Sequence, residues 1–171
     1  MLKPQDIVVL MKILSKGVQP WAQGTLAVEL GMSASEVNAG IKRLLQASLV
    51  RKQGKNIRPV KAAIEEFLVH GLRYIFPIER GEPTRGLLAA HAADAFKSEL
   101  AVEEPPPVWP DAEGQAKGYT VKPLYKCVPF AVKQDQKLYD YLAIVDVLRS
   151  NSARDRRVAK NMLQQKLSAY E

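Results

Sequence analysis

Between Gly31 and Lys61 the basic residues are Lys42, Arg43, Arg51, Lys52, Lys55, Arg58 and Lys61, and Glu36 is the only acid. Cations so lightly offset suit a polyanion, because each lysine or arginine that neutralises a phosphate releases condensed counterions. A solvated surface is the competing reading. Other chemistry-bearing residues are sparse. The single cysteine, Cys127, excludes an intramolecular disulfide and a CxxC metal site. Its neighbours Lys126 and Val128-Pro129 bring one charge and no histidine, so a structural thiol is expected there. His70 and His91 lie far apart without HExxH spacing, and both read as structural. The chain has no phosphate loop, no Gly-x-Ser-x-Gly elbow, no paired-carboxylate motif and no metal triad. It is read as a non-enzyme that needs no cofactor.

The basic segment must be positioned by local elements, and these are well signalled. Pro4 opens a helix, Ile7, Leu10, Met11 and Leu14 give it one apolar stripe, and Gly17 stops it. A short helix follows from Thr25 to Leu30, ending at Gly31. Ser33-Ala34-Ser35-Glu36 is a capping box that starts a third helix. Val37, Ile41, Leu44, Leu45 and Ser48 trace its buried stripe, which leaves Ser35, Asn38, Ala39, Lys42 and Gln46 on the opposite face. Leu49 to Lys52 reads as a strand, Gln53-Gly54-Lys55-Asn56 as its turn and Ile57-Arg58 as the return strand. A fourth helix runs from Val60 to His70.

The run from Leu26 through Gly31, Ser33 and Glu36 to Leu49-Val50 resembles the winged helix-turn-helix of MarR-like bacterial regulators, over about residues 2–70. The resemblance implies duplex DNA as partner and transcriptional regulation, with repression expected. It places Ser35, Asn38, Lys42 and Gln46 toward base edges in the major groove, where Asn and Gln pair with adenine and Lys with guanine. Lys42 alternatively contacts phosphate. Arg43, Arg51, Lys52, Lys55 and Arg58 are then phosphate or minor-groove contacts that fix position. Two residues depart from the pattern. Ser48 stands where a glycine is common, and Gly40 interrupts the recognition helix at a cost of about 1 kcal/mol against alanine.

The second half is less regular. Leu72 to Phe76 mixes aromatic and apolar residues, Arg80 to Gly86 is turn-rich, and Leu87 to Leu100 has Ala-rich helical propensity. Prolines from Pro105 to Pro107 and Pro110 impose an extended, semi-rigid arm, and Tyr119 to Tyr125 has moderate strand character. Leu138, Tyr141, Leu142, Val145 and Leu148 form a stripe. Ser152 and Asp155 cap a last helix through Ala159, Met162, Leu163 and Leu167. Arg154, Arg156, Arg157 and Lys160 on that helix form either a solvated face or a second polyanion site.

The expected organisation is a DNA-binding domain at 1–71, an irregular Pro-rich connector at 72–136 and a helical hairpin at 137–171. The fold class expected is mostly α with a small β wing. The hairpin's outer seam is expected to join a homodimer. Tyr119, Tyr125, Tyr139 and Tyr141 either line a pocket for a small-molecule effector or pack in the core. The composition is 47% hydrophobic and 25% charged with a net charge of +7, ordinary for a globular chain. No apolar run reaches the length of a membrane helix and no secretory h-region is present, which leads to a cytoplasmic expectation. Two alternatives use the same features: an adaptor or antitoxin-like protein that binds another protein through a winged helix, and a sequence-neutral DNA-binding protein.

Overall fold

A computed structural model describes residues 1–170. Helix α1 (Pro4–Lys16) begins at its proline, and Asp6 in its first turn accepts a hydrogen bond from the Lys3 backbone N–H at 2.8 Å. Each apolar residue of α1 from Ile7 to Leu14 is at most 3% exposed. A helix buried on every side has packing partners all round, so α1 is a central element and not a surface one. Helix α2 (Gln23–Leu30) ends at Gly31, whose φ of +70° turns the chain into α3 (Ala34–Gln46). Strands β1 (Val50–Gln53) and β2 (Asn56–Pro59) pair antiparallel, with Gln53 opposite Asn56 and Gly54-Lys55 as the loop. Helices α4 (Lys61–His70) and α5 (Leu72–Ile75) follow.

The expectation of a mostly α chain is corrected by what comes next. Strands β3 (Arg80–Leu88), β4 (Pro107–Pro110) and β5 (Ala116–Val121) form a second sheet, in a stretch expected to be irregular. β3 pairs antiparallel with both β4 and β5, and β4 pairs parallel with β5, so the three close on one another. With 52% helix and 16% strand, the protein is mixed α/β. The strands cross so closely that side chains are excluded at two places. A Cβ on Gly86 would stand 2.0 Å from the Trp109 carbonyl oxygen, and one on Gly118 would stand 1.8 Å from that of Pro106. The proline run therefore leads into a buried strand, not an arm: Pro107, Val108 and Trp109 are all buried. Leu87 and Leu88 complete β3, and only short 3-10 turns at Ala90–Ala92 and Asp94–Phe96 occupy the rest of the Ala-rich segment.

Helix α6 (Val128–Val132) leads into α7 (Gln136–Leu148) and α8 (Ala153–Ser168). Asp135 caps α7 by accepting from the Leu138 N–H, and Ser152 caps α8 by accepting from that of Asp155. α7 packs against α1 on one side and α8 on another, while α8 also packs on α4. Leu138, Leu142, Val145 and Leu148 are each at most 1% exposed within the single chain. The seam expected to meet a second copy is thus filled by α1. Lys12 of α1 is buried and reaches Asp135 at 2.7 Å and Glu29 of α2 at 3.2 Å, tying three elements through one ammonium. Inside the second half, Asp146 accepts from the Trp109 indole N–H at 2.8 Å and from Arg149 at 2.7 Å. Arg149 also donates to the carbonyls of Phe76 and Pro77. One continuous core runs from α1 to α8.

Candidate nucleic-acid interface

The capping box forms as the sequence implies. Ser33 Oγ accepts from the Glu36 N–H at 3.1 Å, and Glu36 Oε1 accepts from the Ser33 N–H at 3.0 Å. With its start fixed, α3 turns Val37, Ile41 and Leu44 into the core and leaves Ser35, Asn38, Lys42 and Gln46 exposed. Those four share one arc of the helix, free of other chain segments. Leu45 is only partly buried, and Ser48 is exposed with φ +63°, a left-handed conformation and not part of the buried stripe. That conformation is where a glycine would sit without strain.

Gly40 has a structural reason. It is buried against α1, where a Cβ would stand 3.1 Å from Asp6 Oδ1. The close approach lets Arg43 grip that carboxylate with both Nε at 2.7 Å and Nη2 at 2.8 Å. Asp6 is fully buried and the Arg43 side chain is 20% exposed. Arg43 is therefore committed to α1 and is withdrawn from the face that carries Asn38 and Lys42.

On the hairpin, Arg51, Lys52 and Lys55 are exposed. Arg58 is partly buried and donates to the Val18 carbonyl at 3.4 Å, so it braces the hairpin against the α1–α2 connector. Trp21 of that connector is half-buried, packs against the core and edges a cleft of about 250 Å³ shared with Lys55 to Arg58.

The chain matches no protein-family model, no curated protein and no solved structure. The site is accordingly built from its own geometry.

Two contacts that no local sequence pattern marks complete that geometry. The Tyr125 hydroxyl donates to Glu36 Oε2, and the Phe130 ring lies over Gly31, at the turn between α2 and α3. The Tyr125 hydrogen bond, helped by the Ser33 N–H, holds the Glu36 carboxyl below its ordinary range. No periodic pattern marks this contact, which spans 89 positions of sequence. The remaining candidates separate. Cys127 is buried, and burial pushes its thiol up to about 11, so it stays protonated and unreactive. His91 lies 3.4 Å from Glu103, while His70 closes α4. Tyr139 donates to the Leu88 carbonyl and tilts against Trp109, and Tyr141 is buried on α7. The four tyrosines therefore do not converge on one pocket. Arg156 donates to the Ser150 carbonyl, and Arg154 and Arg157 are exposed. Among the described residues there is no group of three or more His, Cys, Asp or Glu able to hold a metal, and no helix is long and apolar enough to cross a membrane.

Proposed function

We propose that this chain is a DNA-binding transcriptional regulator, with α3 entering the major groove and the β1–β2 hairpin acting as a basic wing. The observation that carries the reading is the clear arc on α3. A helix in a groove needs an uncovered face of short polar and basic side chains, fixed at its N-terminal end, with cations nearby for the phosphates. Ser35, Asn38, Lys42 and Gln46 supply the face. The capping box supplies the fixed end. Arg51, Lys52 and Lys55 supply the cations. Asn38 and Gln46 would read adenine edges and Lys42 guanine or phosphate. The proposal extends, through the sequence resemblance to MarR-like winged helices, to action in the cytoplasm as a repressor.

Two copies on a two-fold symmetric site remain part of the proposal, since a single winged helix buries little surface on DNA. The surface joining them is not the α7 stripe, which is internal. The test is selection of fragments bound by the full chain from a random duplex pool, followed by sequencing. Enrichment of a motif with two related half-sites supports regulation by sequence. A pool that stays random overturns it.

A further inference from the structure

The chain from Tyr125 into α6 is pinned to the start of α3 by the Tyr125 bond to Glu36, and to the α2–α3 turn by the Phe130 ring on Gly31, where a Cβ would stand 2.9 Å from the ring. Leu124, Cys127 and Val128 are buried and root this segment in the core. What it leaves outside is Lys126, exposed, with its ammonium 5.7 Å from the centre of the Tyr125 ring. Lys126 also acts electrostatically on Glu36. Glu36 lies beside Ser35 at the edge of the clear arc, and the hairpin leaves from the opposite end of α3. The arc is thus bracketed by cations from two distant parts of the chain: Lys126 near its N-terminal end, and Arg51, Lys52 and Lys55 near its C-terminal end.

A duplex whose groove receives α3 carries a phosphate strand past each side of the helix. Glu36, the only acid between Gly31 and Lys61, would repel the strand at the N-terminal end if it stood bare. Tyr125 occupies one of its oxygens, and Lys126 brings the compensating charge. We propose that Lys126 contacts a DNA phosphate on the flank away from the hairpin, positioned by the Tyr125–Glu36 hydrogen bond. The interface then draws on both halves of the chain, which gives the long-range contact a purpose beyond packing. This rests on the DNA-binding reading above.

The experiment titrates a fluorescently labelled random-sequence duplex with the full chain between about 50 and 200 mM KCl. Lys126→Gln should make the plot of log K against log salt shallower by about 0.9, the value of one phosphate contact. Lys126→Arg, which keeps the charge, should bind as the unsubstituted chain does. Lys117→Gln, an equal loss of charge at the exposed lysine of β5, should leave the slope alone. Tyr125→Phe keeps the ring and should reproduce part of the Lys126→Gln effect. A Lys126→Gln slope equal to that of Lys117→Gln overturns the contact, and unaltered binding by Tyr125→Phe overturns the positioning. The double variant Lys52→Gln, Lys55→Gln separates the two levels. If it flattens the slope while Lys126→Gln does not, this inference alone fails. If the unsubstituted chain shows no salt-dependent binding, the DNA reading fails and takes this inference with it.

Discussion

Asn38, Lys42 and Arg43 sit within two turns of one helix and have different fates. Asn38 and Lys42 are exposed, with no side-chain hydrogen bond or ion pair among the described residues, so their removal should leave folding intact. Asn38→Ala and Lys42→Ala are each expected to weaken binding to a selected site by about 1–3 kcal/mol, with an unchanged thermal midpoint. Equal affinity in both variants would contradict the assigned face. Arg43 is expected to act on stability. Removing it strands a fully buried carboxylate. Breaking such a pair costs about 3 kcal/mol or more, so Arg43→Ala should lower the urea midpoint sharply while Lys42→Ala does not. Position in the sequence made the two cations look alike. Only the fold, through Gly40 and Asp6, tells them apart.

At the scale of elements, the hairpin is the part whose role can be isolated. Lys52 and Lys55 are exposed and make no side-chain hydrogen bond or ion pair among the described residues. Neutralising both should reduce affinity for all duplexes alike and flatten the salt dependence by about one unit of slope per lost contact. A shift in sequence preference instead would assign them to base reading. The elements of the first half were legible because their signals are local: a proline start, a glycine stop, a capping box and a two-residue turn between short strands. The second sheet was not. Its pairings join residues such as Thr84 and Gly118, and its strands contain Pro83, Pro107 and Pro110 with Gly86 and Gly118 at the crossings. Those residue types ordinarily argue against strands. Here the two glycines are required because three strands close tightly on one another, and nothing local announces that. The stripe on α7 was read correctly as apolar, but besides the neighbouring α8 it packs on α1, at the other end of the chain.

At the scale of the whole molecule, the halves are one body joined by bonds that titrate. Glu36 is held low first by the Tyr125 hydroxyl and then by the Ser33 N–H. At Asp135, burial works against the charge, but Lys12 and the Leu138 N–H outweigh it and leave the carboxyl below its usual value. A carboxylate whose folded pKa is depressed adds stability that is present above its unfolded value and lost as pH falls through the folded one. The ordinary values are 4.5 for Glu36 and 3.8 for Asp135. The stability that these two carboxylates add should therefore be complete above about pH 5, and thermal midpoints should fall progressively below about pH 4 as it is lost. The Tyr125→Phe variant, lacking the hydroxyl, should lose less over that range, and an identical acid profile would contradict the role of the Glu36 bond. This union of halves also means that α3 is presented by the entire chain, with α1 clamped between it and α7. The measurement that tests the central claim most directly is the affinity of the full chain for its selected duplex against a scrambled duplex of equal length, at two salt concentrations. The account predicts a preference of about a thousandfold or more for the selected duplex, with both affinities falling steeply as salt rises. Equal, weak and salt-independent binding to the two duplexes would contradict it.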